Sequence, residues 1–242
     1  MDVVTQAWAG AGARRPIRLA GPSDADAVGA LIAEAFHPLA LSAWLVGDPA
    51  RRSHVLHEVF RIHVEHAVAS GWVWIEGEAD GVAVWQPGGL APRPGYVRRL
   101  AMAAGEHTPR FQTVDAAFDR RHPRPAHQHL AFLAVAPALQ GRGMGSALLA
   151  WHHRTLDRGA MPAYLEASSV VSRRLFLRHG YRDHGPALDL PDGPRLWPLW
   201  REPGPPSGLA PPSRLAPPSG LAPPSGLAPP SRLAPPGREP IS

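Results

Sequence analysis

The order of apolar and polar positions divides the chain into a periodic body and an aperiodic end. PIRLA (16–20) is a strand-length run. In GPSDADAVGALIAEAFH (21–37), Val28, Leu31, Ile32 and Ala35 recur at helical spacing, and Ser23 with Asp26 makes a capping-box-like start. A longer helix is predicted over 48–71, with Asp48 as cap, Pro49 in the first turn and Gly71 as the stop. Its apolar stripe runs through Val55, Leu56, Val59, Phe60, Val64 and Val68. WVWIEGEADGVAVWQP (72–87) reads as two strands turning at Asp80-Gly81, with Trp72, Trp74 and Trp85 as packing residues. Residues 91–125 are mixed and arginine-rich and predict one or two helices in a lid-like insertion.

HLAFLAVAP (129–137) is a strand, followed by a glycine loop and a helix over about 144–158. PAYLEAS (162–168) is another strand and SRRLFLRHG (172–180) a short helix closed by Gly180. YRDHGPALDL and PRLWPLWRE form a final strand pair. Strands alternating with helices predict an α/β (α+β) fold on a mixed sheet. From 205 to 234 a hexamer repeats, PPSGLA or PPSRLA. Paired prolines exclude helix and inner strand, and one leucine per repeat is too little apolar surface to offset ordering. The expected organisation is a leader over 1–14, a folded domain over 15–202 and a disordered proline-rich tail over 203–242.

Composition narrows the function classes. The chain of 242 residues has no cysteine. Disulfides, thiolate metal sites and a cysteine acyl-enzyme are excluded, and a cytoplasmic location is the expectation. No stretch approaches the roughly 18–20 apolar residues that span a bilayer, so no membrane partner is expected. Every basic residue is arginine, and the formal net charge is +5. With lysine absent and the arginines scattered, the basic balance does not predict a nucleic-acid partner.

The loop ALQGRGMGSALL (138–149) joins the 129–137 strand to a helix. A lysine-free chain cannot supply the GxxxxGK[ST] phosphate loop. A GxGxxG dinucleotide fingerprint fails because Gly145 falls one place early. Gln140, Gly143 and Gly145 do match Q/R-x-x-G-x-G/A, in which loop amides and a helix N-terminus cradle a pyrophosphate. The bland reading is a tight turn with no ligand, which three glycines and an arginine so close together disfavour.

Here the chain resembles the GNAT superfamily of N-acetyltransferases. HLAFLAVAPALQGRGMGSALL is similar to its fourth strand, pyrophosphate loop and following helix. MPAYLEASSVVSRRLFLRHGY resembles the fifth strand and the segment ending in a glycine–aromatic pair, Gly180-Tyr181. The likeness spans about 16–201, and its layout is most similar to puromycin N-acetyltransferase-like small-molecule enzymes. It implies a twisted sheet splayed between strands 4 and 5, with helices on both faces and acetyl-CoA in the gap as co-substrate. By that resemblance, the backbone of Leu133, Ala134 and Val135 would pair with pantetheine. Gln140, Gly141, Arg142, Gly143, Met144, Gly145 and Ser146 would hold the pyrophosphate, Arg142 reaching a phosphate or, as its alternative, standing in solvent. Ser172 and Phe176 would flank the cofactor, and Trp44, Tyr96 and Tyr164 would line the acceptor pocket.

An amine must lose a proton to attack a thioester, and the leaving thiolate gains one. Many superfamily members supply the second proton from a tyrosine ahead of the closing glycine. Here that position is Phe176, and the usual asparagine is Ser172. Another side chain or water then serves, or no acid is needed, or transfer is slow or absent. Glu166 is the first candidate base, with a structural role as its alternative, and His129 is the second. His54, His57, His63 and His66 share one helix but match no zinc motif, so no metal is expected. The leading reading is an acyl-CoA-dependent N-acyltransferase, monomeric or homodimeric, that acetylates the amine of a small antibiotic or metabolite by direct transfer in a ternary complex. A catalytically weak acyl-CoA-binding protein and a protein N-acetyltransferase are the alternatives, the latter opposed by the 91–125 insertion.

Overall fold

A computed structural model describes residues 15–88 and 95–205. The expected leader, residues 89–94 of the insertion and the proline repeat beyond Pro205 lie outside the described residues. In chain order the elements are β1 (Ile17–Leu19), α1 (Ala25–Phe36), α2 (Ala40–Leu45), α3 (Pro49–Ser70), β2 (Trp72–Glu76), β3 (Gly81–Pro87), α4 (Tyr96–Ala104), α5 (Thr108–Arg121), β4 (Gln128–Val135), α6 (Met144–Arg158), β5 (Ala163–Ala167), α7 (Val170–Arg178), β6 (Arg182–Asp183), β7 (Leu188–Asp189) and β8 (Arg195–Arg201). The strands order as β1-β2-β3-β4-β5-β8-β6, with β7 also on β8. Every pairing is antiparallel except β4 with β5.

Strand β4 departs from regular pairing in two ways. Its register with β3 shifts between Val84↔Phe132 and Trp85↔Leu130, so Ala131 is an extra, bulged residue. Ala131 and Phe132 therefore both pack toward the α1/α3 core, while Leu130 and Leu133 pack on the opposite side. Its parallel pairing with β5 consists of Gln128↔Ala163 and His129↔Tyr164, after which the strands part.

Helices cover both faces. On one, Val28 and Ile32 of α1 and Leu56, Val59 and Val64 of α3 meet Val73, Ile75, Val82 and Val84. On the other, Leu148, Leu149 and Leu156 of α6 meet Trp74, Ala83, Trp85, Leu165 and Leu199. Full burial of one such side chain stabilises by about 1.5–3 kcal/mol. Behind the sheet, the Trp74 indole N–H donates to His152 Nδ1 at 2.8 Å, so the ring's proton sits on Nε2, 2.6 Å from Gln128 Oε1. This buried chain of bonds fixes the start of β4, where the pairing with β5 begins.

The long helix is bounded as its residues predict. Asp48 Oδ1 accepts from the Ala50 amide at 2.9 Å, and Gly71 ends α3. A Cβ at Gly71 would lie 2.2 Å from the Trp85 carbonyl, so only glycine lets α3 pass into β2. Other expectations are corrected. The Ser23–Asp26 box is not formed; Asp24 Oδ2 instead accepts from the Gly21 amide at 2.8 Å, across a 3-10 turn that precedes α1. Asp80-Gly81 is not the centre of the hairpin, because Glu76 pairs with Gly81 and the turn is Gly77 to Asp80. The short α2 carries no side-chain cap and went unpredicted. Its C-terminal end is held by buried Arg52, which donates to the carbonyls of Val46 (2.8 Å) and Gly47 (3.1 Å) and also reaches His37 at 3.3 Å.

Candidate active site

Where β4 and β5 part, the sheet opens into a cavity of about 1350 Å³. Its wall runs from the loop after β4, through the splay, to a chamber roofed by α1, α2, α3, α4 and α5. Leu133, Ala134 and Val135 line it, as do Gln140, Gly141, Gly143, Met144, Gly145 and Ser146.

The loop conformation depends on its glycines. Gly141 (φ 76°) and Gly143 (φ 86°) are left-handed, and a Cβ at either would meet nothing within 4 Å. The glycines serve the backbone turn and leave open space beside it. Ala147 donates to the Gly143 carbonyl at 2.9 Å, so the amides just ahead of it belong to a helix end without intrahelical acceptors. The Gln140 carboxamide turns back, donating to the Val135 carbonyl at 3.1 Å, and so closes the turn. Arg142 is exposed and is not among the cavity-lining residues; the loop turns its side chain outward. The arginine on this wall is Arg178, at the end of α7. His179 Nε2 lies 3.0 Å from Ser146 Oγ and joins that end of α7 to the first turn of α6. Burial, then Arg178, keeps the His179 imidazole below its usual pKa.

At the splay, His129 and Glu166 are brought together. His129 Nε2 lies 2.8 Å from Glu166 Oε2, and since a carboxylate only accepts, Nε2 carries the proton. The Glu166 side chain is 3% exposed and that of His129 18%, so the imidazole is the outer member of the pair. Both line the cavity. His129 Nδ1 has no hydrogen-bond partner among the described residues. His122 also reaches the cavity, edge-on to His129 with ring centroids 5.7 Å apart. Burial, then the neighbouring His129 and His127, lowers its pKa to about 4.

Tyr164 is corrected as a pocket residue. It stands at the last paired position before the splay, fully buried against His122, His127 and His129, and is not among the cavity-lining residues. Burial, then the Glu166 carboxylate, raises its phenol pKa. Trp44 is corrected too: its ring packs outside the cavity, under the Arg110 guanidinium at 5.4 Å and against Gly193. Tyr96 does line the chamber, its hydroxyl donating to Asp115 Oδ2 at 2.9 Å and lying 3.4 Å from His63 Nε2. Asp115 and Asp119, on one face of α5, and His122, just past its C-terminal end, were missed. The i, i+4 repeat of Phe111, Asp115 and Asp119 was the signal available for them. Among the described residues, no group of three or more potential ligands is placed to hold a metal.

No protein-family model matches the chain. Among solved structures, it superposes on the histone acetyltransferase HPA2 and related acetyltransferase from Corynebacterium glutamicum with a TM-score of 0.59. Identity is 23%, over 79% of this chain and 98% of that one. The chain has the GNAT acetyltransferase fold. Further matches to this GNAT fold are an agmatine N-acetyltransferase mutant (TM-score 0.51, 19% identity, 78% and 100% coverage) and arylalkylamine N-acetyltransferase 2 from Aedes aegypti (TM-score 0.51, 14% identity, 78% and 99% coverage).

Within the GNAT fold, the segment expected to flank the cofactor lines the cavity and also carries local structure. Helix α7 starts at Val170, two residues earlier than predicted, because Ser169 caps it and accepts from the Ser172 amide at 3.0 Å. The Ser172 hydroxyl accepts from the Ser169 amide at 3.2 Å, which completes the capping box, and donates to the Ser169 carbonyl at 3.0 Å. Phe176 is 6% exposed and meets Tyr181 edge-on at 5.7 Å. The Tyr181 hydroxyl is itself buried, 3.0 Å from His153 Nε2. Ser172 and Phe176 both touch the cavity, yet neither offers a free acid there.

Proposed function

We propose that the chain is an acyl-CoA-dependent N-acyltransferase that transfers acetyl from acetyl-CoA to the amine of a small molecule. The observation that carries this reading is one continuous cavity with separated charge. Among the described lining residues, the arginine, Arg178, stands at the glycine-loop end, whereas the carboxylates Asp115, Asp119 and Glu166 stand at the splay and beyond. An anionic co-substrate and a cationic amine are thereby directed to opposite ends.

The amides ahead of Ala147, the space beside Gly141 and Gly143, and Arg178 suit a pyrophosphate, and the unpaired edge of β4 suits an extended pantetheine. Acetyl-CoA supplies an activated acyl group. His129 Nδ1 takes a proton from the acceptor's ammonium, and Glu166 stabilises the resulting imidazolium through Nε2. The freed nitrogen lone pair forms a C–N bond to the thioester carbonyl carbon as the C–S bond breaks. The sulfur keeps that electron pair and gains a proton from water, the hydroxide so formed takes the second proton from the nitrogen, and His129 returns the first to solvent, so the products are an N-acetyl amide and CoA thiol. Holding the amine and thioester side by side supplies most of the acceleration, with proton transfer adding about 10²–10⁴-fold. Phe176 favours one alternative, an acyl-CoA-binding protein with little turnover. CoA release from acetyl-CoA across an amine panel decides between them: amine-dependent release supports the transferase, and tight binding without release supports the alternative.

A further inference from the structure

Phe36, Phe60, Phe111, Phe118 and Phe132 gather on the chamber beyond the splay, and the sixth phenylalanine of the chain, Phe176, lines the same cavity. Three of them meet edge to face or tilted: Phe36–Phe60 at 5.8 Å, Phe36–Phe132 at 6.0 Å and Phe60–Phe132 at 5.0 Å. The bulge at Ala131 is what turns Phe132 into this group. Phe36, Phe118 and Phe132 are half-buried, so part of each ring is left for a ligand.

Polar groups are placed around this wall rather than in it. His129 with Glu166 lies at the splay, and Tyr96 with Asp115 lies on the helical side. His63 bridges the two regions, its ring 5.6 Å from Phe132 and 5.4 Å from Tyr96. A ring entering this chamber adds to an existing set of edge-to-face contacts, while a charged or fully polar amine would leave the phenyl surfaces wet. The Glu166 carboxylate behind His129 favours an ammonium at the splay.

We infer that the acceptor is a primary amine carried on an aromatic ring by a short linker, with the ring seated on the phenylalanine wall and the ammonium beside His129. This rests on the acyltransferase reading, deepens it to a substrate class, and leaves aliphatic polyamines and peptide N-termini as poor acceptors.

The test compares 2-phenylethylamine with n-propylamine and agmatine, measuring acetyl-CoA-dependent CoA release by the full chain. We expect kcat/KM for 2-phenylethylamine to exceed that for n-propylamine by about 30-fold, the range over which apolar pockets discriminate. Phe118→Ala is expected to shrink that ratio at least about threefold; Phe118→Leu, which keeps most of the volume, makes the same comparison if the alanine variant folds poorly. Equal rates with ring-bearing and ring-free amines, or a preference for agmatine, overturn the inference and leave the acyltransferase reading standing. If no amine is turned over, the acyltransferase reading fails instead, and calorimetry of 2-phenylethylamine on the acetyl-CoA-loaded protein then decides the pocket. Binding lost in Phe118→Ala supports the aromatic site, and no binding overturns it.

Discussion

Replacing Glu166 with glutamine separates charge from shape at the pair on which the proposed chemistry turns. The carboxamide oxygen can still accept from His129 Nε2, 2.8 Å away, so the ring keeps its place. What is lost is the charge on a side chain only 3% exposed. A hydrogen bond to a charged group contributes about 1.5–3 kcal/mol net and a neutral one about 0.5–1.5, which sets a floor near 1 kcal/mol, or about fivefold. The gross attraction between a carboxylate and an imidazolium at this distance is about 6 kcal/mol at an effective dielectric of 20. Between these bounds we expect kcat to fall about 100-fold, within the range of general base catalysis. The Michaelis constant for acetyl-CoA should stay within about threefold, because Glu166 stands away from the glycine loop. The assay is thiol release at saturating amine with acetyl-CoA varied, alongside a circular dichroism melt. A kcat within threefold of wild type, or a loss that appears mainly in acetyl-CoA affinity, refutes the pair as the base.

Gly143→Asp forces a φ of 86° on a branched residue and places a carboxylate in the proposed phosphate site, so acetyl-CoA affinity by calorimetry should drop more than about tenfold. Gly145→Ala, whose Cβ would make an ordinary 3.6 Å contact with Leu133, should fall by much less. Arg178→Ala should weaken acetyl-CoA by about 1 kcal/mol with a reduced salt dependence, whereas Arg142→Ala should leave binding unchanged. Asp157→Ala strands buried Arg201, its partner at 2.8 Å, and removes the acceptor for the Gly204 amide, so unfolding should become about 3–5 kcal/mol easier in urea titration. His152 and His153 are held neutral by burial, with pKa lowered from 6.5 to about 3. The unfolded chain thus binds more protons below pH 6.5, and stability present above that pH is lost as pH falls toward 3. At pH 5 each should have forfeited about 2 kcal/mol, and a flat stability profile between pH 7 and 5 would contradict this.

The sequence was most legible where spacing and chemistry coincide. Asp48, Pro49 and Gly71 bound α3 because each acts on backbone groups within a few residues of itself. The loop Gly141–Gly145 was readable as a backbone device for the same reason. Other features depend on distant partners. Glu166 and His129 were separate candidates in the sequence and become one unit only through the parallel pairing of β4 with β5. Tyr164 is not among the cavity-lining residues, since it stands at the last paired position of β4 with β5, a distinction set by sheet register and not by its type. Arg178 lines the cavity and Arg142 does not, because α7 folds back so that His179 meets Ser146, 33 residues away. Ser172, expected to flank the cofactor at the position of the family's asparagine, lines the cavity and also serves the local cap with Ser169.

Phe176 is the residue hardest to reconcile with rapid turnover, since a buried ring stands where many GNAT enzymes place a hydroxyl. In the proposed reaction water is the proton donor, which suffices because the thiolate of coenzyme A is a tolerable leaving group. Phe176→Tyr would then raise kcat modestly or leave it unchanged.

The most direct test of the central claim is mass-spectrometric detection of product from acetyl-CoA and a ring-bearing amine, with released thiol measured in the same sample. The expected result is N-acetylated amine and CoA thiol in equal amounts with the wild-type chain, and far less of both with Glu166→Gln at full acetyl-CoA occupancy. Saturable acetyl-CoA binding with no acetylated product from any amine would contradict the transferase and leave an acyl-CoA-binding protein in its place.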